Sequence, residues 1–326
     1  MTASSFPRLC LTDEELQTGV TSPATIQAGL EQFNENGFVI IENAIHHNII
    51  DRMRERMEKD IPTNLASSTV SYNHGFAARN VCQIPPLEKD FIYEALYANH
   101  HAIAIIEHIL GPRPQLSWIG SNIALPNSLG RQAVHADFYA KHLNIPTGVE
   151  VYTYLSDTSP ENGSTELWPG THVGYNIADH VESDSGWIKQ EVFSARAAKK
   201  PPIQPYVRKG SICFRDLRMW HAGMPNHTNQ PRIMLAFIYF PRWFDPQMRL
   251  TLPASVRETV GMWTSVDIIG HTDFVEGPID YLHLVKNLDF EQKSRDKKDD
   301  IVWIPRHGGV IVTSENYWSP PGRVKL

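Results

Sequence analysis

The sequence predicts a β-rich α+β fold, with one antiparallel β-barrel or jelly roll buttressed by helices. Three observations predict it. Apolar residues recur at helical spacing before residue 112. From residue 114 the character changes to short β-rich runs separated by turn residues. No internal repeat or low-complexity stretch interrupts this order, and helices followed by many short strands fit such a layered fold. The chain of 326 residues is long for an average domain but suits one large barrel with extra helices. We read a single domain over 1–326, with a helical part at about 23–112, a barrel core at about 114–245 and a C-terminal cap or tail at about 251–326.

The first helix starts near residue 23. Ile26, Leu30 and Phe33 fall on one face, and Asn36-Gly37 stops it. Phe38-Val39-Ile40-Ile41 then reads as a short buried strand. A second amphipathic helix carries Ile50, Met53 and Met57 on its apolar side. A third runs from about Asp90 to Leu110 and ends at Gly111-Pro112. The later strands include Leu116–Leu125, Val149–Leu155, Ser211–Phe214 and Ile233–Phe240. Turn signals sit at Pro126-Asn127, Ser159-Pro160, Asn162-Gly163, Pro169-Gly170 and Lys209-Gly210. The segment from 251 onward reads as a cap, a dimer contact or an irregular tail, which leaves a homodimer open.

Composition excludes several classes of function. The net charge is −6, from 30 Lys+Arg against 36 Asp+Glu, which argues against a nucleic-acid partner. Lys293, Arg295, Lys297 and Lys298 are interleaved with Asp296, Asp299 and Asp300, the pattern of a solvated face. Cys10, Cys82 and Cys213 are odd in number and far apart, so a disulfide framework is not expected and a reducing, cytoplasmic setting fits. Met1 to Thr12 has no apolar secretory core, and no apolar run is long enough to cross a bilayer. The ending Arg323-Val324-Lys325-Leu326 is read as chance rather than a peroxisomal signal.

The chemistry starts in Gln132-Ala133-Val134-His135-Ala136-Asp137-Phe138-Tyr139. On a strand, residues two apart share a side, so His135 and Asp137 can converge inside a barrel. A second histidine from a distant strand would complete a facial 2-His-1-carboxylate set with open positions, the geometry of oxygen-activating iron(II). His221 is a candidate for it, within Phe214-Arg215-Asp216-Leu217-Arg218-Met219-Trp220-His221-Ala222-Gly223. Alone, His-x-Asp is a common pair in a chain with 15 histidines. Arg232 opens the apolar strand Ile233–Phe240. A buried arginine there needs an anion, and a guanidinium grips a carboxylate with two parallel hydrogen bonds. The bland alternative is a surface arginine capping a strand.

These residues, in this order and spacing, resemble the phytanoyl-CoA dioxygenase family of iron(II)/2-oxoglutarate oxygenases, including its fungal natural-product branch. The resemblance runs from about residue 26 to about 245. It starts with Phe33-x-x-x-Gly37-Phe38-Val39-Ile40-Ile41. It continues through His135-x-Asp137, Glu161-Asn162-Gly163-Ser164-Thr165 and Pro169-Gly170-Thr171-His172 to His221 and Arg232. It implies a double-stranded β-helix core of the jelly-roll or cupin-like kind. It implies His135, Asp137 and His221 as iron ligands and Arg232 as the anchor for the side-chain carboxylate of 2-oxoglutarate. Gln132 and Thr165 resemble positions that assist co-substrate binding. Gln132 lies three residues before His135, so a bulge or turn is needed to bring it inward. Arg79, in Ala77-Ala78-Arg79-Asn80, is a candidate for a carboxylate of co-substrate or substrate. His172 belongs to a structural turn, and His74, His100, His101, His108, His142, His180 and His227 lack a partner at metal spacing.

The family reaction consumes O2 and 2-oxoglutarate, releases succinate and oxidises a C–H bond, with ascorbate supporting activity. Iron halogenases of this class replace the carboxylate ligand with a small residue. Asp137 therefore favours hydroxylation, desaturation or oxidative rearrangement. Three readings compete: this oxygenase, a non-catalytic small-molecule-binding barrel, and a zinc hydrolase using the same three side chains. Trp118, Phe138, Tyr139 and Trp243 suggest a small apolar organic substrate. A fatty acyl-CoA would need a basic pocket rim, which scattered basic residues do not provide, so a specialised metabolite is preferred.

Overall fold

The computed structural model describes residues 7–68, 70–138, 144–182, 186–246 and 248–284. The chain enters through β1 (Arg8–Cys10), α1 (Asp13–Thr18) and α2 (Pro23–Asn36). Helix α2 forms where expected, because Ser22 caps its first turn and Pro23 suits the first helical position. Gly37 ends it at φ 85°, and a side chain there would meet His172 Nδ1 at 2.7 Å. The chain then enters β2 (Phe38–Glu42), whose first four residues are all buried, and α3 (His47–Ala66), which buries Ile50, Met53 and Met57.

Strands β3 (Ser71–Tyr72) and β4 (Asn80–Cys82) follow. The third helix is not the continuous one expected from Asp90. It breaks into a 3-10 turn (Lys89–Phe91), α4 (Glu94–Tyr97) and α5 (His100–Leu110). Asn99 causes the break, because its side chain accepts the backbone N–H of Ala102 and so caps a new helix. Then come β5 (Gln115–Ala124), β6 (Val149–Tyr154) and β7 (Glu166–Leu167). Helix α6 (Gln190–Lys199), β8 (Ile212–Asp216), β9 (His221–Ala222) and β10 (Arg232–Phe240) complete the segment.

Eight strands form one mixed sheet in the order β1-β2-β8-β6-β10-β5-β4-β3. Only β1 and β2 run parallel, and the other pairings are antiparallel. Strand alternation sorts the side chains into two layers. Ile212, Phe214, Val149, Val151, Leu235 and Phe237 join the core under the helices, with Phe33, Met53 and Ile105. Cys213, Tyr152, Tyr154, Met234 and Ala236 face the other way, with Phe38 and Ile40. That second face carries the site.

Opposite it, β7 and β9 form a separate two-stranded ribbon. Among the described residues the sheets do not join into a closed barrel. The wall facing the large sheet is built largely of loops, with His135 held only through isolated bridges. Strands β11 (Leu250–Pro253) and β12 (Thr272–Val275) pair in parallel. Leu250, Leu252, Val256, Val260, Trp263 and Ile268 belong to the helix-side core, so residues 250–284 are packed structure rather than a loose tail. The Lys293–Asp300 charge cluster and the chain ending lie outside the described residues. No helix among the described residues is long and apolar enough to cross a membrane.

Candidate active site

His135 and Asp137 lie on an irregular extended segment rather than on one strand. Its backbone is tied to the stretch that carries His221. His135 and His221 exchange both backbone hydrogen bonds, at 3.0 and 2.9 Å, and the amides of Asp137 and Phe138 both donate to the Leu217 carbonyl at 3.0 Å. This pairing brings together side chains 86 positions apart, and the two imidazole centroids are 4.0 Å apart.

The three side chains are buried, and one ligand atom from each lies within 4.8 Å of the others. His135 Nε2 is 3.7 Å from Asp137 Oδ1, and His221 Nε2 is 3.4 Å from Asp137 Oδ2. His135 Nδ1 lies 2.8 Å from the Ala133 carbonyl, and His221 Nδ1 lies 3.3 Å from that of Met219. A carbonyl only accepts, so both Nδ1 atoms are assigned the proton and both Nε2 atoms keep a lone pair. Burial, with the nearby Arg215 charge, lowers the His221 pKa to about 3, so it is neutral at physiological pH. Two imidazoles that present Nε2 and a carboxylate fit a divalent first-row metal.

Arg232 is 1% exposed. It donates to the carbonyls of Asn122 at 3.2 Å and Gly163 at 2.7 Å, and its Nε has no partner. Burial holds its pKa at about 10. No carboxylate pairs with it among the described residues. It shares a strand face with Met234 and Ala236, which line the cavity in front of the triad. A fully buried cation with an unmet donor is what an anionic ligand would satisfy.

Gln132 and Thr165 also line this cavity. The irregular backbone turns Gln132 inward, where Oε1 accepts the Gly223 N–H at 2.6 Å. A Cβ at Gly223 would meet that oxygen at 2.7 Å, so any side chain there would displace the Gln132 amide. Arg79, like Arg232, is not itself among the residues that line the cavity, and its buried Nε has no hydrogen-bond partner among the described residues. It sits half-buried at φ 50° after a 3-10 turn, and its carbonyl accepts from the Leu125 amide. His172 is also elsewhere, facing the Asn34 carbonyl at 3.1 Å.

Among the described residues the aromatic lining expected from the sequence is found only in part. Trp118 lines the cavity, but Phe138 packs in a separate core against Phe240 and Phe244, and Trp243 is 59% exposed. Tyr139 and His142 lie outside the described residues. Instead Asn73, His74, Asn122, Glu150 and Tyr152 line it. His74 was set aside from the sequence, yet its ring lies 3.8 Å from that of His135 and its Nδ1 accepts from Trp187 Nε1 at 2.8 Å. No spacing rule reveals it. Arg215 and Glu150 were also missed, although Glu150 is a lone charge in an apolar strand and Arg215 follows the apolar run Ile212–Phe214, patterns that demand a buried partner. Arg215 hydrogen-bonds both Asp137 and Glu150.

The family model for phytanoyl-CoA dioxygenase (PhyH) matches residues 33–234, more than half of the chain. The ectoine dioxygenases of Stutzerimonas stutzeri (strain A1501) and Nocardia farcinica (strain IFM 10152) are each 24% identical over 229 residues. The alignments cover 64% of this chain, and 75% and 76% of those enzymes. Among solved structures, the epimerase SnoN in complex with Fe3+, alpha ketoglutarate and nogalamycin RO matches with TM-score 0.54 and 18% identity, over 68% of this chain and 85% of that one. The alpha-ketoglutarate-dependent carbocyclase SnoK from nogalamycin biosynthesis matches with TM-score 0.51 and 16% identity, over 68% and 85%. AviO1 from Streptomyces viridochromogenes Tue57 matches with TM-score 0.51 and 18% identity, over 68% and 97%. At these identities the structural likeness is one of fold. The chain belongs to the phytanoyl-CoA dioxygenase family of non-haem iron(II)- and 2-oxoglutarate-dependent oxygenases.

Proposed function

We propose that His135, Asp137 and His221 hold the iron of this enzyme, and that Arg232 anchors the distal carboxylate of 2-oxoglutarate, with Gln132 and Thr165 beside it. The observation that carries this reading is a buried His-Asp-His triad that lines the same cavity as Met234 and Ala236, whose strand face also carries the buried Arg232, without an acidic partner among the described residues. Arg79, whose buried Nε also has no partner among the described residues, is kept as a candidate contact for a carboxylate of co-substrate or substrate. Chain 1–326 acts as a single oxygenase domain, and its two facing sheets are the core of a double-stranded β-helix. A cytoplasmic setting is in keeping with the free thiols of Cys10, Cys82 and Cys213.

Bound iron supplies the activation of O2 by the two-electron oxidation of 2-oxoglutarate to succinate and CO2, and with it the means to oxidise an unactivated C–H bond. The residues supply the rest. The Nδ1 protons of His135 and His221, held on backbone carbonyls, fix both rings and keep Nε2 pointing at Asp137. The forked guanidinium of Arg232 would orient the co-substrate by its far carboxylate. Burial of the triad keeps bulk water from the reacting centre. A zinc hydrolase would need a free general base. The carboxylate that lines the cavity beside Asp137, Glu150, is already engaged by Arg215 and the Tyr152 hydroxyl.

The substrate we propose is a small specialised metabolite. The polar lining favours one with hydrogen-bonding groups over a wholly apolar ring system, which revises the expectation drawn from the aromatic residues. An acyl-CoA remains the alternative. The test is succinate release from 2-oxoglutarate with iron(II), ascorbate and O2, in parallel with metal titration. His135→Ala, Asp137→Ala and His221→Ala should each lose metal binding and succinate release together. Retained stoichiometric metal binding in any one of them would remove that residue from the triad.

A further inference from the structure

Glu150 and Arg215 are directly opposite each other across the β6–β8 ladder, on the face that points into the cavity. Each is buried, and Arg215 is 0% exposed. The Arg215 guanidinium hydrogen-bonds Asp137 Oδ2 and Glu150 Oε2 through the same nitrogen, which also lies 3.1 Å from His221 Nε2, while its Nε donates to the Tyr152 hydroxyl at 2.7 Å. The Tyr152 hydroxyl donates in turn to Glu150 Oε2 at 2.9 Å. The arginine is therefore anchored from two sides, and its nitrogen is pinned on one particular oxygen of the triad carboxylate.

The charges explain why two carboxylates attend one arginine. If Arg215 had only Asp137 as counter-ion, a dication at the triad would strip the arginine of its partner and leave a buried unpaired charge. Glu150 keeps Arg215 neutralised whichever way Asp137 is shared. The buried charges Asp137, Glu150, Arg215 and Arg232 sum to zero, and adding a dication and a dianion together leaves the sum at zero.

The arrangement has a consequence for coordination. A carboxylate can bind a metal through one oxygen or two. Through two, it takes up one of the positions that a facial triad must leave open. A keto acid that chelates needs two of those positions and dioxygen needs the third. We propose that Arg215 is a positioning residue, which by holding Asp137 Oδ2 restricts Asp137 to coordination through Oδ1, and that Glu150 and Tyr152 hold Arg215 in place. This rests on the iron site proposed above and adds a task for three residues outside the triad.

The test uses the full-length protein in two ways. A crystal structure of wild type with Mn(II) and 2-oxoglutarate should show Asp137 bound through Oδ1 alone, with Oδ2 still on Arg215. Two-oxygen binding, or Oδ2 on the metal with Arg215 turned away, would overturn the proposal and leave the triad intact. Metal at some other place would overturn both. The second arm is the double variant Glu150→Gln/Arg215→Met, which removes the Glu150–Arg215 pair together and is read in the metal-loaded form, where the dication balances the buried Asp137 carboxylate. Its Mn(II) affinity should stay within about tenfold of wild type, while anaerobic titration of the Fe(II) form should show 2-oxoglutarate binding weakened about ten- to a hundredfold, with a shifted visible absorption band. Arg215→Lys should recover part of that loss. Unchanged 2-oxoglutarate affinity and an unshifted band in the double variant would overturn the proposal. Should that variant not fold, the wild-type structure decides alone.

Discussion

Replacing Arg232 by Met separates binding from stability. The guanidinium is fully buried, and burial lowers its pKa from 12.5 to about 10. That displacement corresponds to roughly 3 kcal/mol against the charged form. Since the value stays well above neutrality, the group is charged in both folded and unfolded states, and the penalty is constant from pH 5 to 8 (roughly). Against it stand two hydrogen bonds to the carbonyls of Asn122 and Gly163. Each is worth about 1.5–3 kcal/mol for a charged donor, so the unliganded protein should change by less than about 3 kcal/mol. The liganded protein should change in a different way. Wild type at about 100 times its dissociation constant of 2-oxoglutarate gains about 2.7 kcal/mol. For a chain of this size that is roughly 5 °C in melting temperature. The assay is thermal unfolding with Mn(II), with and without 2-oxoglutarate. Arg232→Met should melt at the same temperature in both conditions. A full wild-type shift on adding 2-oxoglutarate would refute the reasoning.

Three further outcomes are expected. Arg232→Lys keeps a charge but loses the fork, so it should raise KM for 2-oxoglutarate far more than KM for the organic substrate, and equal effects would count against the anchor role. Phe33→Ala removes a side chain that stacks on Phe214 beneath α2, and should cost about 3–5 kcal/mol in denaturant unfolding; a loss below about 1 kcal/mol would show that the contact is not structural. Burial lowers the pKa of His172, so the unfolded chain takes up its proton near the ordinary value while the folded chain does not, and stability should fall as pH drops below about 6.5. His172→Gln should flatten that slope in denaturant midpoints measured at neutral and mildly acidic pH, and an unchanged slope would assign the pH dependence to other groups.

The parts of this molecule that follow local rules were readable. Ile26, Leu30 and Phe33 mark one helix face, and Gly37 stops the helix because only glycine takes that backbone angle at no steric cost. The β10 run and the β6 run appear as apolar stretches of strand length. The break before α5 was hidden, since a lone Asn99 inside an apolar pattern looks like a tolerated helical residue until its side chain is seen on Ala102. In the site, His135, Asp137 and His221 stood out by residue type. The strand argument that linked the first two was not the reason they meet, because backbone bonds to the 217–223 stretch bring them together. Glu150, Arg215 and His74 depend on strand register and on a loop crossing, and neither is written in any local spacing.

The most direct measurement of the central claim is the visible spectrum of the anaerobic protein with iron(II) and then 2-oxoglutarate. A weak charge-transfer band should grow with 2-oxoglutarate to one equivalent and be absent from His221→Ala. No band in folded, iron-loaded wild type, or an undiminished band in His221→Ala, would contradict the claim.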